Sequence, residues 1–182
     1  MTAMAPHDRA SVPEKSSIAI VSPDALGSDV LQGLLAIWNE RRAERLMPAR
    51  SDFSPRAIGQ LLKYVSLVRV MSGGDDYEFR IIGDVHVQAY GTRHQGKCLS
   101  EVMNEAQGFG RALKKSFDVV VRSRGPIAYS GVIGRDAGEA RFVALESLFL
   151  PLGDDDDRVD HIVTAGVYVP RRGYWPDETT GA

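Results

Sequence analysis

The sequence predicts an α+β domain, in which a five-stranded antiparallel sheet carries short helices and one long helix on one face, with further helices ahead of the sheet. Two observations favour this class. An alternating strand at 77–82 runs into Gly83 and is followed by short apolar segments that break at Gly91 and Gly96. Three strand-like segments follow the long helix, and their short connections require antiparallel neighbours. Separate runs of helices and strands are typical of α+β folds.

Two helices are expected ahead of the sheet. The first spans 28–46, with Ser28 as its N-cap and an apolar stripe that includes Trp38. It ends before Pro48, because the residue before a proline avoids helical angles. The second begins at Pro55, since proline at the first helical position loses no hydrogen bond. The first helix could pack either on its own sheet or on a second copy of the chain.

The remaining elements follow from alternation, caps and turn residues. Strands are expected at 65–70, 77–82, 127–133, 141–150 and 159–169, and short helices at 85–90 and 100–103. The long helix is expected over 104–123, where Asn104 would cap its start and Gly125 would close its end. One face of this helix is apolar, so it should cover the sheet.

Composition limits the class of partner. The 182 residues suffice for one domain, expected at 27–169 between flexible tails at 1–26 and 170–182, although 18–21 could pair with another strand. A net charge of −2 without a dense basic run argues against nucleic acid. No apolar stretch approaches the roughly 18 residues of a membrane span, and no secretion signal is evident. The single Cys98 fits a reducing compartment, so we expect a cytoplasmic protein.

Five short motifs occur in a characteristic order. They are Trp38 on the first helix, PARSDFSP at 48–55, FRIIG at 79–83, the spaced glycines of 91–99, and LESLFLPL at 145–152. In these motifs the chain resembles the PAS domain superfamily over about residues 30–168, most closely a bacterial subfamily of mostly single-domain PAS proteins. Asp84 stands where that subfamily often has Thr or Ser, and its charge would repel an anionic ligand head group.

The resemblance implies a sensory or regulatory module that is not an enzyme. Such a domain holds a small apolar ligand between the sheet and the short helices, or binds a regulatory protein, and signals through a flanking helix. Alternatively, it is a ligand-free scaffold that forms homodimers. The residues show no nucleophile–base pair, metal set or phosphate loop, and they identify no cofactor. An enzyme on an α+β scaffold is the least favoured alternative.

Eight residues are expected to line the pocket: Phe79, Ile81, Tyr90, Leu99, Phe117, Tyr129, Phe142 and Glu146. Glu146 alternates with apolar residues along its strand, so it would point into the core if that face is the inner one. A buried carboxylate needs a cation, a donor or a proton. Two hypotheses stay open: a structural contact with Arg80 or with backbone donors, or a contact with the ligand.

Structural roles are expected for a second set of residues: Trp38, Arg50, Asp52, Arg80, Gly83, Gly91 and Gly96. Arg50 could bind an anion, but the favoured interpretation is that Arg50 and Asp52 order a loop, with Asp52 capping the helix at Pro55.

Known cofactor patterns of PAS domains match poorly. Cys98 lies in GKCLS, which differs from the flavin-bonding stretch of light-sensing relatives, so it is expected to be a buried filler. Haem would need an axial histidine, for which His94 is the candidate. The four histidines, at 7, 86, 94 and 161, include no pair with metal-ligand spacing. The four aspartates at 154–157 are expected to form a solvated turn rather than a calcium loop.

Overall fold

The computed structural model describes residues 12–138 and 140–171. The expectations for His7 and for the outer parts of both tails lie outside the described residues. The strands are β1 (Ser17–Val21), β2 (Val65–Met71), β3 (Asp76–Ile81), β4 (Ile127–Val132), β5 (Phe142–Leu152) and β6 (His161–Pro170). They form one antiparallel sheet in the order β1-β4-β5-β6-β2-β3.

The sheet has six strands instead of the expected five, because β1 pairs with β4. Ile18 lies opposite Gly131, and a Cβ at Gly131 would sit 2.1 Å from the Ser17 carbonyl oxygen. The glycine therefore allows the first strand to approach the sheet edge. Part of the segment expected to be a flexible tail is thus ordered as an edge strand.

The helices are α1 (Asp29–Arg42), α2 (Pro55–Ile58), α3 (Asp84–Tyr90), α4 (Leu99–Glu105) and α5 (Gln107–Ser123), and α2 continues as a 3-10 helix at Gly59–Tyr64. Ser28 caps α1 as expected, because its Oγ accepts a hydrogen bond from the Leu31 N–H at 3.4 Å. Helix α1 ends earlier than expected, because Ala43 turns the chain with a φ of 50°. None of the helices in the described ranges is long and apolar enough to cross a membrane.

The long helix differs from expectation at both ends. Asn104 belongs to α4 and does not cap α5, which begins at Gln107. At the other end Arg124, rather than Gly125, takes the left-handed conformation, with a φ of 53°. The short helix α4 is therefore longer than the expected 100–103.

The sheet lies between two helical layers. Helices α3, α4 and α5 cover one face, which we call the inner face, as the sequence predicts. Helix α1 covers the outer face with a buried stripe of Leu31, Leu34, Leu35 and Trp38. The Trp38 Nε1–H donates to the Pro151 carbonyl at 2.8 Å and fixes the end of α1 to β5. Alternation along β5 turns Ser147 to the inner face and Glu146 to the outer face.

Candidate ligand cavity

A cavity of about 70 Å³ lies between the inner face of the sheet and helices α3 and α5. The helical side is formed by His86, Tyr90, Phe109, Leu113 and Phe117, and the sheet side by Ser66, Phe79, Ser147, Phe149, Thr164, Ala165 and Tyr168. Ile82, Thr92 and His94 complete the lining. A cavity of about 10–15 Å³ by the same measure holds one water molecule, so this space suits a molecule of few non-hydrogen atoms.

Aromatic rings wall the cavity. Tyr90 packs on Phe109 with ring centroids 4.5 Å apart and meets Tyr168 edge-on at 5.6 Å. On the other side, Phe117 lies 6.3 Å from Phe79 and 6.0 Å from Phe149, again edge-on. Edge-to-face pairs of this kind are favourable beyond the area they bury. The walls are therefore apolar and held in place by their neighbours.

Three hydroxyl side chains cross the floor of the cavity on three adjacent strands, and we call them the hydroxyl row: Ser66, Thr164 and Ser147. Ser66 on β2 lies directly opposite Thr164 on β6, and Ser147 on β5 lies opposite Gly166. Directly opposite residues have Cβ atoms about 5 Å apart, and diagonal neighbours about 7–8 Å. The row is thus a polar stripe across the sheet side of the chamber.

Gly166 leaves space for an aromatic ring beside the hydroxyl row. A Cβ at this position would lie 2.4 Å from the hydroxyl oxygen of Tyr168, two residues further along the same face. The Tyr168 ring therefore folds back over its own strand. Burial raises the pKa of Tyr168 well above its usual value, so the phenol is neutral.

Ser66 connects the hydroxyl row to helix α3. Its Oγ accepts a hydrogen bond from the Gly83 N–H at 3.1 Å and lies 2.8 Å from His86 Nδ1. Burial lowers the pKa of His86 to about 4, so its ring is neutral at pH 7. A Cβ at Gly83 would come within 2.6 Å of the Lys63 carbonyl oxygen, which favours glycine at this junction.

A family model described as a PAS domain matches residues 27–168. The chain belongs to the PAS domain family. PAS domains are sensory and regulatory modules, and the match covers α1, every later helix and strands β2 to β5 with nearly all of β6. Strand β1 precedes it. Neither a curated protein nor a solved structure matches the chain.

The PAS domain brings three of the eight expected pocket residues to the cavity: Phe79, Tyr90 and Phe117. Tyr129 and Phe142 do not line the cavity but pack against two residues that do: the Tyr129 ring lies 5.6 Å from that of Phe149, and the Phe142 ring 4.8 Å from that of Tyr168. Leu99 is buried in the core, whereas Ile81 is 45% exposed. Sequence reasoning missed the hydroxyl row, His86 and Tyr168. The sequence feature that could have indicated the hydroxyl row is the occurrence of polar residues such as Ser147 and Thr164 inside otherwise apolar strands.

Glu146 lies on the outer face of this PAS domain. Its carboxylate accepts hydrogen bonds from the backbone N–H groups of Gly27, at 3.0 Å, and Ser28, at 2.9 Å. Of the alternatives considered for Glu146, the contact with backbone donors is therefore the one present. The pairing with Arg80 is wrong, because Arg80 lies on β3, three strands away from β5, and binds Glu78 at 2.7 Å. A carboxylate beside the first N–H groups of a helix stabilises its positive end.

The loop between α1 and α2 is ordered by its own polar groups. The Asp52 carboxylate accepts from the Ala49 N–H at 3.1 Å and pairs with Arg45, whose hydrogen bond lowers the pKa of Asp52. Asp52 does not cap α2 as expected; Ser54 does, accepting from the Ala57 N–H at 3.4 Å. Arg50 donates to the Phe53 carbonyl at 3.4 Å.

Two further glycines expected to be structural adopt left-handed conformations. Gly91 closes α3 with a φ of 72°, and the Arg141 guanidinium lies against it. Gly96 has a φ of 84° in the following turn. These are angles that glycine adopts without steric cost.

The PAS cavity offers poor geometry for the metals and large cofactors considered above. His94 lines the cavity, but a space of about 70 Å³ is far smaller than a porphyrin. Within residues 12–138 and 140–171, no three His, Cys, Asp or Glu side chains are placed to share a metal ion. Asp155, in the acidic turn, accepts from the N–H groups of Asp157 and Arg158 and so orders the turn.

Proposed function

We propose that this PAS domain is a sensory module that binds a small ligand in the cavity and reports its presence through α1. The observation that carries the proposal is the adjacency of Ser147 and Glu146 on β5. Ser147 faces the cavity, and Glu146 holds the first N–H groups ahead of α1. A ligand that shifts β5 at Ser147 therefore changes the support of α1 on the opposite face.

The physical route is short. Helix α1 is fixed to β5 at both ends, by Glu146 at its start and by Trp38 on the Pro151 carbonyl near its end. A ligand shifts a two-state equilibrium only by its differential affinity for the two states. In the proposed mechanism the two states differ in how firmly β5 holds α1. The function is non-catalytic, and the free thiol of Cys98 supports a cytoplasmic location.

The test combines ligand recovery with a readout at α1. Protein purified gently is analysed by native mass spectrometry, where added small-molecule mass supports the proposal. Hydrogen exchange of residues 27–42 is then compared between the loaded and stripped protein. We expect the loaded and stripped forms to differ in exchange at the start of α1. Equal exchange there, with ligand bound, would reject signalling through this helix.

A ligand-free scaffold that forms homodimers is the second candidate. An open groove of about 330 Å³ on the outer face, beside the start of α1, favours it. The groove is lined by apolar side chains of three strands, Val132, Ala144, Val167 and Val169 among them, which a second copy of the chain would cover. A dimer mass in solution that Val167→Asp converts to a monomer, with no bound ligand, would favour this function.

A further inference from the structure

We infer that the cavity selects a small uncharged molecule that donates and accepts hydrogen bonds, of the class of short amides and alcohols, and discriminates against anions. The inference rests on the proposed function and specifies its ligand. It depends on three properties of the cavity: the absence of charged side chains in its lining, two hydroxyls without partners, and its size.

The lining contains no side chain that carries a full charge at neutral pH. None of its fifteen residues is Lys, Arg, Asp or Glu. Both histidines are deep enough for burial to lower the pKa of each imidazole, so neither supplies a cation at pH 7. A carboxylate or phosphate placed here would lose its hydration without gaining a counter-charge.

Two members of the hydroxyl row, Ser147 and Thr164, have no hydrogen-bond partner within the described part of the chain. Both side chains line the cavity, and each residue is only 8% exposed. The third member, Ser66, is already committed to Gly83 and His86. The Nδ1 of His94, another lining residue, is buried and also has no partner within the described ranges. Polar groups inside folded proteins are nearly always paired, so these three groups point to a guest with complementary donors and acceptors.

Size narrows the class further. An apolar cavity of about 150 Å³ holds benzene. A space of about 70 Å³, less than half as large, suits a guest of three or four non-hydrogen atoms. The aromatic walls favour contact with short alkyl groups, and the hydroxyl row lies at one side to bind the polar end.

Acetamide and acetate make a matched pair of probes, because they share shape and size and differ in charge. We expect acetamide to shift the backbone amide resonances of Ser147, Thr164 and Gly166 saturably at pH 7. Acetate should bind at least tenfold more weakly. The double variant Ser147→Ala, Thr164→Val removes both hydroxyls at nearly constant volume and should abolish the acetamide shifts. Ser130→Ala, which removes a hydroxyl lining the outer groove, is the control and should leave binding unchanged.

A second measurement does not depend on the choice of probe. Thr164→Val replaces a cavity-lining hydroxyl that has no partner among the described residues by a methyl group of the same shape, so the ligand-free variant should melt at a higher temperature than the parent protein. A lower melting temperature would show that internal water alone satisfies Thr164 and would overturn the inference.

The possible failures can be told apart. Acetate binding as tightly as acetamide, or recovery of an anionic ligand by native mass spectrometry, overturns the ligand class and leaves the sensory function standing. Absence of any recovered ligand, with no response to either probe, overturns the inference and the sensory function together. Recovery of an uncharged amide or alcohol supports both.

Discussion

The Glu146 carboxylate accepts a hydrogen bond of 2.9 Å from the backbone N–H of Ser28, across the boundary between the sheet and the outer helix. This contact joins residues 118 positions apart in the chain. Within the described residues, the two N–H groups ahead of α1 both donate to Glu146. Glu146 belongs to β5, the strand that also forms part of the cavity floor. The support of α1 and the floor of the cavity thus lie on adjacent residues of β5, Glu146 and Ser147.

Replacing Glu146 by Gln should loosen α1 without unfolding the sheet. The amide keeps one acceptor oxygen but puts an NH₂ group against a second backbone N–H, so we expect a loss of about 1–2 kcal/mol in the free energy of unfolding. Urea denaturation measures this loss, and hydrogen exchange at Gly27 and Ser28 should rise. Glu78→Gln is the matched control, because the partners of the Glu78 carboxylate among the described residues are the exposed side chains of Arg69 and Arg80. Equal effects of the two variants would contradict the capping role.

Stability should fall as the pH drops from about 6.5 to about 4. Burial holds the pKa of His86 near 4, against about 6.5 in the unfolded chain, so in this window the unfolded state takes up a proton that the folded state does not. The loss should approach roughly 2–3 kcal/mol at the acid end and vanish above pH 7. Unfolding free energies measured at several pH values give the slope.

His86→Asn separates this effect from other titrations. Asparagine places an acceptor near the position of Nδ1 and does not titrate, so the slope between pH 6.5 and 4 should become shallower. His94 and His161 also have pKa values lowered mainly by burial, and they keep their contribution in both proteins. An unchanged slope in the variant would show that His86 is not the group responsible.

Gly166→Ala should destabilise the protein by about 1–3 kcal/mol and alter the cavity, because the new Cβ must displace Tyr168 from its position over the strand. Thermal unfolding and the near-ultraviolet circular dichroism of tyrosine report the two effects. Gly108→Ala, at an open helical position of α5 where no atom lies within 4 Å of the added Cβ, should be neutral or stabilising by up to about 1 kcal/mol. The prediction fails if the two alanine variants behave alike.

Gly131→Ala should release β1 while the other strands stay paired, since the Cβ would collide with the Ser17 carbonyl oxygen. We expect faster proteolysis within 12–21 and loss of amide protection in β1, with native protection in β5 and β6. Gly125→Ala, whose Cβ would have its nearest neighbour at 3.8 Å, is the control. Global unfolding of the Gly131 variant would show that β1 is integral to the core instead.

Local patterns predicted the elements whose causes are local. Alternation identified β3 and β5, and Ser28 and Pro55 marked the starts of α1 and α2 correctly. The capping pattern of Asn104 was misleading, because the preceding helix continues through Glu105 and ends at Ala106. The local sequence around Asn104 could not show whether this residue would start the long helix or belong to the short helix before it.

Features that depend on distant contacts could not be predicted. The sequence indicated that 18–21 could pair with another strand, but not with which one, because the pairing of β1 with β4 depends on the space that Gly131 leaves more than a hundred residues later. The orientation of Glu146 depends on which face α1 covers, and an alternating strand has two faces that look alike when both are apolar. The hydroxyl row combines residues from three strands, and each one alone resembles an ordinary strand serine or threonine.

The two-residue repeat of β5 has a consequence for protein engineering. Deleting or inserting one residue between Ala144 and Ser147 would turn every later side chain of β5 to the opposite face of the sheet. The Ser147 hydroxyl would then leave the cavity floor. The length of this strand is therefore fixed, and foreign peptides intended as reporters belong in the acidic hairpin bend at 154–157, where the residues are exposed and a change in length leaves the alternation intact.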